Sequence, residues 1–236
     1  MKDVVLLHGY LESKAIWKNI ADGLEFNVIA LDLLGHGMNK ADNFSSITEM
    51  AFDVREKLKD LKIANYSVVG HSMGGYVALE LFQKDSNCEE VVLLNSNFWE
   101  DSEEKKQDRL RVLDAVAHNK HRFVKGVIPN LFSDPNEFHQ VIKSLVSTAN
   151  KMSENSIKNS AIAMRNRSDK TFLVKSNAEK FLVLQGVEDT LTTANEMRAR
   201  IPENVRLETI AGGHMGWCES TTNITSLLNE FLRKRN

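Results

Sequence analysis

The stretch from Tyr66 to Phe82, YSVVGHSMGGYVALELF, decides the fold of this 236-residue chain. It joins an apolar run typical of a β-strand, Tyr66–Val69, to a run with helical spacing, Tyr76–Phe82, through Gly70-His71-Ser72-Met73-Gly74. A strand that turns directly into a helix crowds its neighbours, and glycines on both sides of the central residue relieve that crowding. We therefore expect a sharp strand-to-helix turn that exposes the hydroxyl of Ser72.

Charge and composition exclude several classes of partner. The formal net charge is −2, from 30 basic and 32 acidic residues in short runs, so neither nucleic acid nor a membrane is an expected partner. Cys88 and Cys218 lie far apart, and no signal-peptide pattern follows Met1, which together indicate a reduced, cytoplasmic protein. We expect neither a metal nor a cofactor, and the sequence leaves the oligomeric state open.

Short apolar runs alternate with segments of helical periodicity along most of the chain. The predicted strands are Val4–Leu7, Asn27–Leu31, Tyr66–Val69, Glu90–Leu94, Phe181–Leu184 and Val205–Ile210. The predicted helices between and after them are Ile16–Leu24, Ile47–Leu61, Gly75–Lys84, Thr192–Ala199 and Thr222–Arg233. Continuously apolar strands that alternate with helices predict an α/β protein, a doubly wound and mostly parallel sheet.

One segment interrupts this alternation. Residues 97–155 carry no strand-like run and are polar and helical in character. We interpret them as a helical cap inserted into a core formed by residues 1–96 and 156–236; the alternative is that they are extra helices packed on the sheet.

A serine hydroxyl needs a base within hydrogen-bond reach and a third group to orient that base. His214, in the glycine-rich loop after the last predicted strand, is the best candidate for the base. Asp189 follows the strand at Phe181–Leu184 and would lie at the carboxyl edge of the sheet, where catalytic groups of open α/β sheets gather. The chain order Ser72, Asp189, His214 is that of hydrolases built on this turn.

Each of these assignments has a competitor. In one alternative, Asp189 serves merely as a cap for the following helix, and its neighbour Glu188 is the acid. The other position for an acid, after the preceding strand, holds Asn95 and Ser96, and neither side chain carries a negative charge at neutral pH. His8 is a second candidate for the base, but it lies at a strand end beside a glycine, which favours a role in shaping the loop.

Acyl chemistry also requires donors for a developing oxyanion. Two backbone N–H groups are expected to supply them, one from the residue after the nucleophile and one from the loop after an early strand. Met73 and Tyr10 hold these positions.

Taken in order, the motifs resemble those of the α/β-hydrolase fold superfamily, over nearly the whole chain outside residues 97–155. They are His8-Gly9, Asp32 to Gly37, Gly70 to Gly75, Gly186 to Asp189 and Gly213-His214. The resemblance implies that residues 97–155 cap the active site and that Asp32 stabilises a turn. A serine at the turn differs from the aspartate of the epoxide-hydrolase and haloalkane-dehalogenase branches.

The expected activity is hydrolysis of small-molecule carboxylic esters, or of a related carbonyl substrate, through an acyl-enzyme on Ser72. The chain is also similar to a menaquinone-pathway synthase that forms an SHCHC product, and to C–C bond hydrolases of aromatic degradation. A ligand-binding receptor or interaction module with the same fold is a further alternative.

Substrate preference depends on side chains that the sequence does not single out. The candidate cations for an anionic substrate are Arg109, Arg111, Arg122 and Lys125. The candidate pocket residues are Trp17, Phe98, Trp99, Phe123, Leu131, Phe132 and Trp217, which are equally suited to the core.

Overall fold

A parallel six-stranded β-sheet forms the centre of the molecule in the computed structural model, which describes residues 1–233. The strands are β1 (Asp3–Leu7), β2 (Asn27–Leu31), β3 (Tyr66–His71), β4 (Cys88–Leu94), β5 (Phe181–Gly186) and β6 (Arg206–Ile210). Their order in the sheet is β2-β1-β3-β4-β5-β6, and every neighbouring pair is parallel. The doubly wound α/β sheet predicted from the apolar runs is confirmed.

The strand order reverses at β1, which pairs with β2 on one side and β3 on the other. The chain runs from β1 to β2 on one side of β1 and then from β2 to β3 on the other side. Where the strand order reverses in this way, a crevice opens at the carboxyl ends of the strands, here β1 and β3. In the register of this pair, Leu7 lies beside Gly70. The strand order therefore brings the loop after β1 next to Ser72.

Ten α-helices surround the sheet in the described part of the chain. They are α1 (Lys18–Gly23), α2 (Ile47–Asp60), α3 (Met73–Lys84), α4 (Glu103–Val127), α5 (His139–Asn150), α6 (Glu154–Arg165), α7 (Thr171–Ser176), α8 (Ala194–Arg200), α9 (Gly216–Glu219) and α10 (Thr221–Arg233). Each predicted helix corresponds to one of these, although the first is split, with a short 3₁₀ turn at Lys14–Trp17 before α1.

Successive strand residues pack on opposite faces of the sheet, as the pleat requires. Val5 and Leu7 belong to the apolar cluster shared with α2, α3 and α8. Val4 and Leu6 belong to the cluster shared with α1 and α10. Both faces are therefore covered, which explains why the strands are continuously apolar.

Side-chain caps mark the start of several helices. Ser46 and Glu49 form a reciprocal capping box at the start of α2. Ser102, Ser153 and Thr193 accept from a backbone N–H in the first turn of α4, α6 and α8. Each of these four helices therefore begins at a defined residue.

The region between β4 and β5 is helical throughout its regular elements, α4 to α7. Asn119 has φ −162° and ψ 92° inside α4, so the helix bends there, and its side chain accepts from the N–H of Arg122. The domain boundary expected between residues 155 and 156 falls within α6.

None of the helices within residues 1–233 is long and apolar enough to cross a membrane. The same residues contain no group of three or more histidine, cysteine, aspartate and glutamate side chains arranged to hold a metal ion.

His36 lies in the turn after β2 and is fully buried. Its Nδ1–H donates to the carbonyl of Leu34, while Nε2 finds no hydrogen-bond partner among the described residues. Burial, reinforced by His8 nearby, lowers the pKa of His36 to about 3. Between the unfolded pKa of about 6.5 and this value, the folded protein therefore keeps His36 neutral while the unfolded chain would protonate it.

We expect this neutral histidine to make folding stability fall with acid. Because the folded pKa is depressed, the contribution is complete above the unfolded pKa of about 6.5 and is lost as pH falls toward the folded value, by up to about 1.4 kcal/mol per pH unit. Urea unfolding of wild type and His36→Gln between pH 7 and 4.5 measures the slope, which the substitution should flatten. His121→Gln, at an exposed position, is the matched control. Equal slopes for wild type and His36→Gln would contradict the prediction.

Candidate active site

Ser72 alone connects β3 to α3. Its backbone has φ 51° and ψ −118°, a region that residues other than glycine rarely adopt and that costs of order 1–3 kcal/mol. The strained turn places the half-buried Ser72 side chain in the cavity at the carboxyl edge of the sheet.

Backbone atoms pack against both flanking glycines. A Cβ on Gly70 would lie 2.4 Å from the carbonyl oxygen of Gly74. A Cβ on Gly74 would lie 2.3 Å from the carbonyl oxygen of Leu7 and 2.6 Å from that of His8. The first contact lies within the turn and the second joins the turn to the loop after β1, so only glycine fits at either position.

The structure brings Ser72, His214 and Asp189 together. Ser72 Oγ lies 2.9 Å from His214 Nε2, and His214 Nδ1 lies 2.9 Å from Asp189 Oδ2. A carboxylate only accepts, so Nδ1 carries the proton and Nε2 is free to accept the hydroxyl proton of Ser72. The side chains thus form a continuous chain of hydrogen bonds from hydroxyl to carboxylate.

Asp189 is held by further donors. Its Oδ2 also accepts from Asn95 Nδ2 at 2.9 Å and Gln185 Nε2 at 3.2 Å, and its Oδ1 accepts from the N–H groups of Leu191 and Thr192. Burial alone would raise the pKa of Asp189, but His214 and these donors hold it below its ordinary value. Asp189 is therefore ionised and fixed in position.

Asn95 is a part of this arrangement that the sequence did not reveal. The side chain of Asn95 cannot serve as the acid. Its amide nevertheless donates to Asp189 at 2.9 Å and to the carbonyl of Gly213 at 3.0 Å. Its backbone has φ 46°. The only sequence signal is its place directly after β4, which puts it at the same sheet edge.

The loop that carries His214 is tied on several sides. The N–H of His214 donates to the carbonyl of Leu131 at 2.9 Å, and the N–H of Gly213 donates to Glu219 Oε2 at 2.9 Å. Gly212 has φ 98°, which favours glycine and lets the loop turn back over the sheet. His214 is thus anchored to the 3₁₀ turn at Ile128–Leu131 that follows α4.

Of the two residues expected to supply oxyanion donors, Met73 directly follows Ser72 and Tyr10 lines the same cavity. Met73 is the first residue of α3, so its N–H has no acceptor within the helix. A Cβ on Gly9 would lie 3.1 Å from Ser72 Cβ, so the loop leading to Tyr10 passes next to the nucleophile candidate. The Tyr10 hydroxyl donates to the carbonyl of Ile157 at 3.1 Å.

The competing residues lie elsewhere. Glu188 is exposed, whereas Asp189 contacts His214. His8 is fully buried, with Nδ1 donating to the carbonyl of Gly9 and Nε2 accepting from the N–H of Leu33. Asp32 accepts from the N–H groups of Lys14 and Met38, as a residue that stabilises a turn does.

A cavity of about 260 Å³ opens above Ser72 and His214. Its apolar lining includes Val112, Phe123, Val127, Leu131, Met164 and Leu191. Phe123 and Leu131 are thus the two of the seven candidate pocket residues that line it, while Trp17, Phe98, Trp99, Phe132 and Trp217 are buried.

One of the four candidate cations, Arg109, lines the cavity. Its Nε donates to Asp101 at 3.1 Å, and Arg167 Nη1 donates to the same carboxylate at 2.8 Å. Burial alone would raise the pKa of Asp101, but the two guanidinium groups hold it below its ordinary value. Charged side chains therefore form part of the lining of the cavity, while Arg111, Arg122 and Lys125 are exposed.

Comparison with known proteins places the whole architecture in one family. A family profile described as alpha/beta hydrolase fold matches residues 3–219. A thermophilic esterase from Thermogutta terrifontis, solved with malate bound, superposes with a TM-score of 0.91 at 27% identity, over 99% of this chain and 90% of that one. An enol-lactonase from Burkholderia xenovorans superposes with a TM-score of 0.86 at 21% identity, over 99% and 92%, and shares the fold.

A curated relative is similar in part. A putative 2-succinyl-6-hydroxy-2,4-cyclohexadiene-1-carboxylate synthase from Haemophilus influenzae is 33% identical over 117 residues, which are 47% of this chain and 47% of the relative. The match therefore spans about half the length of that protein.

The close backbone contacts of the turn predict the effect of a single methyl group. We expect Gly74→Ala to destabilise the protein by about 3 kcal/mol or more, because its Cβ would collide with backbone rather than with a side chain that can move. Gly126→Ala, in the last turn of α4 with nothing within 4 Å, should stabilise by up to about 1 kcal/mol. Urea unfolding midpoints measure both. Equal shifts in the two variants would show that the turn tolerates a side chain at position 74.

Proposed function

Because the chain belongs to the α/β-hydrolase fold family, we propose that it hydrolyses carboxylic esters of small molecules. In this proposal Ser72 is the nucleophile, His214 the general base, and Asp189 the acid that orients the base. One observation carries it: the 2.9 Å contacts that link Ser72 Oγ to His214 and His214 to Asp189.

The first step is acylation of Ser72. As Oγ attacks the ester carbonyl, His214 Nε2 takes the hydroxyl proton and then donates it to the leaving alcohol. Asp189 keeps the proton on Nδ1 and stabilises the imidazolium that forms. Its dense set of donors supports this role, because they hold it ionised without transferring a proton to it.

The oxyanion of each tetrahedral intermediate is held by the N–H groups of Met73 and Tyr10. These donors are part of the backbone and need no rearrangement as the charge develops, which is what makes such sites effective. Water then attacks the acyl-enzyme with His214 again as the base, and the acid leaves with Ser72 restored.

The helical segment 97–155 acts as the cap in this proposal. Val112, Phe123 and Val127 of α4 and Leu131 of the following 3₁₀ turn line the cavity. Pockets for drug-sized ligands measure about 300–1,000 Å³, so a cavity of about 260 Å³ fits a small acyl group.

A second candidate is elimination or C–C bond cleavage with the same serine. The observation that favours it is Arg109 in the cavity, a cation that suits an anionic substrate, together with the partial similarity to the Haemophilus influenzae synthase.

We expect Ser72→Ala to reduce kcat on p-nitrophenyl butyrate by a factor on the order of 10³ or more, since the members of such a triad act as a unit. Asp189→Asn should lose on the order of 10⁴, because the amide favours the wrong tautomer of His214. Ser86→Ala, at an exposed serine after α3, is the control and should retain wild-type rates.

A fluorophosphonate probe followed by mass spectrometry gives the companion measurement. A wild-type protein that neither turns over such esters nor labels at Ser72 would refute the hydrolase proposal. Labelling at Ser72 without ester turnover would favour the elimination or C–C cleavage chemistry instead.

The size of the cavity predicts the acyl preference. We expect kcat/KM to be higher for p-nitrophenyl acetate and butyrate than for the decanoate, because a long acyl chain does not fit. Phe123→Ala should shift the preference toward longer chains by enlarging the apolar wall, whereas Phe172→Ala, at a side chain 81% exposed on α7, should not. An unchanged chain-length profile in Phe123→Ala would place the acyl group elsewhere.

A further inference from the structure

We propose that Glu12 and His71 are positioning residues, a buried carboxylate and imidazolium that hold the oxyanion loop, the turn at Ser72 and the His214 loop in register. The inference rests on the proposed hydrolase function, because it concerns the geometry of the same site. Neither residue contacts Ser72 Oγ through a hydrogen bond in the described structure, so their effect would be exerted through the backbone.

The hydrogen bonds of His71 define its charge. Nδ1 lies 2.9 Å from Glu12 Oε2, and Nε2 lies 2.9 Å from the backbone carbonyl oxygen of His214. A carbonyl oxygen only accepts, so Nε2 carries a proton. The proton between Nδ1 and Glu12 then lies either on His71, which makes both side chains charged, or on Glu12, which leaves both neutral.

Glu12 is surrounded by donors. Its Oε2 accepts from the N–H of Gly9 at 2.5 Å, and its Oε1 accepts from Trp217 Nε1 at 3.1 Å. Donors on both oxygens favour the ionised carboxylate, and an ionised Glu12 places the shared proton on His71. The result is a full ion pair in which every polar atom of both side chains has a partner.

This pair is deeply buried, with both side chains 1% exposed. The other titratable groups that act on it are His8, beside Glu12, and Asp189, beside His71, with the His214 ring 5.2 Å from the His71 ring. Burial opposes the charge on each partner, yet their attraction and hydrogen bonds raise the pKa of His71 and lower that of Glu12.

A buried ion pair is a poor source of stability, because desolvation of the two charges offsets most of their attraction. Its geometric effect is more informative. Gly9 precedes Tyr10, His71 precedes Ser72, and His71 holds the carbonyl of His214 itself. Each bond of the pair thus ends on a segment that carries one part of the proposed chemistry, and Trp217 adds α9 to the assembly.

The kinetic test uses Glu12→Gln and His71→Gln, alone and together. We expect each single variant to lower kcat on p-nitrophenyl butyrate on the order of 10²-fold with little change in KM, since small misplacements of reacting groups have effects of that size. The double variant should lose less than the product of the two single losses, because each single change leaves one buried charge without its partner.

Glu80→Gln is the matched control, since it neutralises another buried acid, paired with Lys170 at 2.6 Å and remote from the cavity. It should reduce stability while kcat per labelled Ser72 stays at the wild-type value. Trp217→Phe removes a single donor to Glu12 and keeps the ring, so it gives a milder variant that should fold and lower kcat several-fold.

Nitrogen-15 NMR of the histidines gives a readout that a purely structural role would not move. In wild type at pH 7 both ring nitrogens of His71 should carry protons, and in Glu12→Gln the ring should be neutral. A neutral His71 in wild type, or wild-type kcat in both single variants, overturns the inference while leaving the hydrolase proposal intact. A wild-type protein with no ester turnover and no probe labelling refutes the hydrolase proposal, and the positioning role falls with it.

Discussion

Backbone packing at the one-residue turn between β3 and α3 is the constraint on which the rest of the site depends. The turn places the backbone of Gly74 against the carbonyls of Leu7 and His8, with no room for a Cβ between them. The distance from Ser72 to the loop after β1 is therefore set by main-chain contact rather than by side-chain packing. Main-chain contact of this kind is rigid, which suits a site whose donors must be in place before charge develops.

Two buried carboxylates, those of Asp189 and Glu12, help to fix His214 next to this turn. Asp189 holds the ring of His214 from one side, and Glu12, acting through His71, holds its backbone carbonyl from the other. Both acids are ionised because several N–H donors converge on each. His214 is thus held at its ring by Asp189 and at its backbone by His71, and neither carboxylate is left without a partner in a buried environment.

The helical segment between β4 and β5 is coupled to this arrangement. The carbonyl of Leu131 accepts from the N–H of His214, and Lys105 in α4 donates to the carbonyl of Leu191 at 2.8 Å, beside Asp189 in the chain. The lining of the cavity is therefore hydrogen-bonded to the loops that carry His214 and Asp189. Changes in α4 that alter the wall also act on the loop of His214 through the turn that follows it.

The sequence by itself determined the sheet, the strand-to-helix turn and the candidate residues Ser72, Asp189 and His214. These follow from local rules: continuous apolar runs for strands covered on both faces, glycines at a sharp turn, and chain order along one sheet edge. Tertiary structure alone decided the partners of those residues. Glu12 and His71 are 59 residues apart, and Asn95 and Asp189 are 94 apart, and they meet only because the strand order brings their loops together.

The same physical reason applies to the cavity. Arg109 lines it whereas Arg111, Arg122 and Lys125 face solvent, and which side of α4 faces the site depends on how the helix packs against the rest of the fold. Such a choice among similar side chains has no local signature, because it depends on how two distant surfaces fit. The chemistry proposed for Ser72 can therefore be inferred from the sequence. The shape of the cavity that would hold the substrate is decided only in the folded chain.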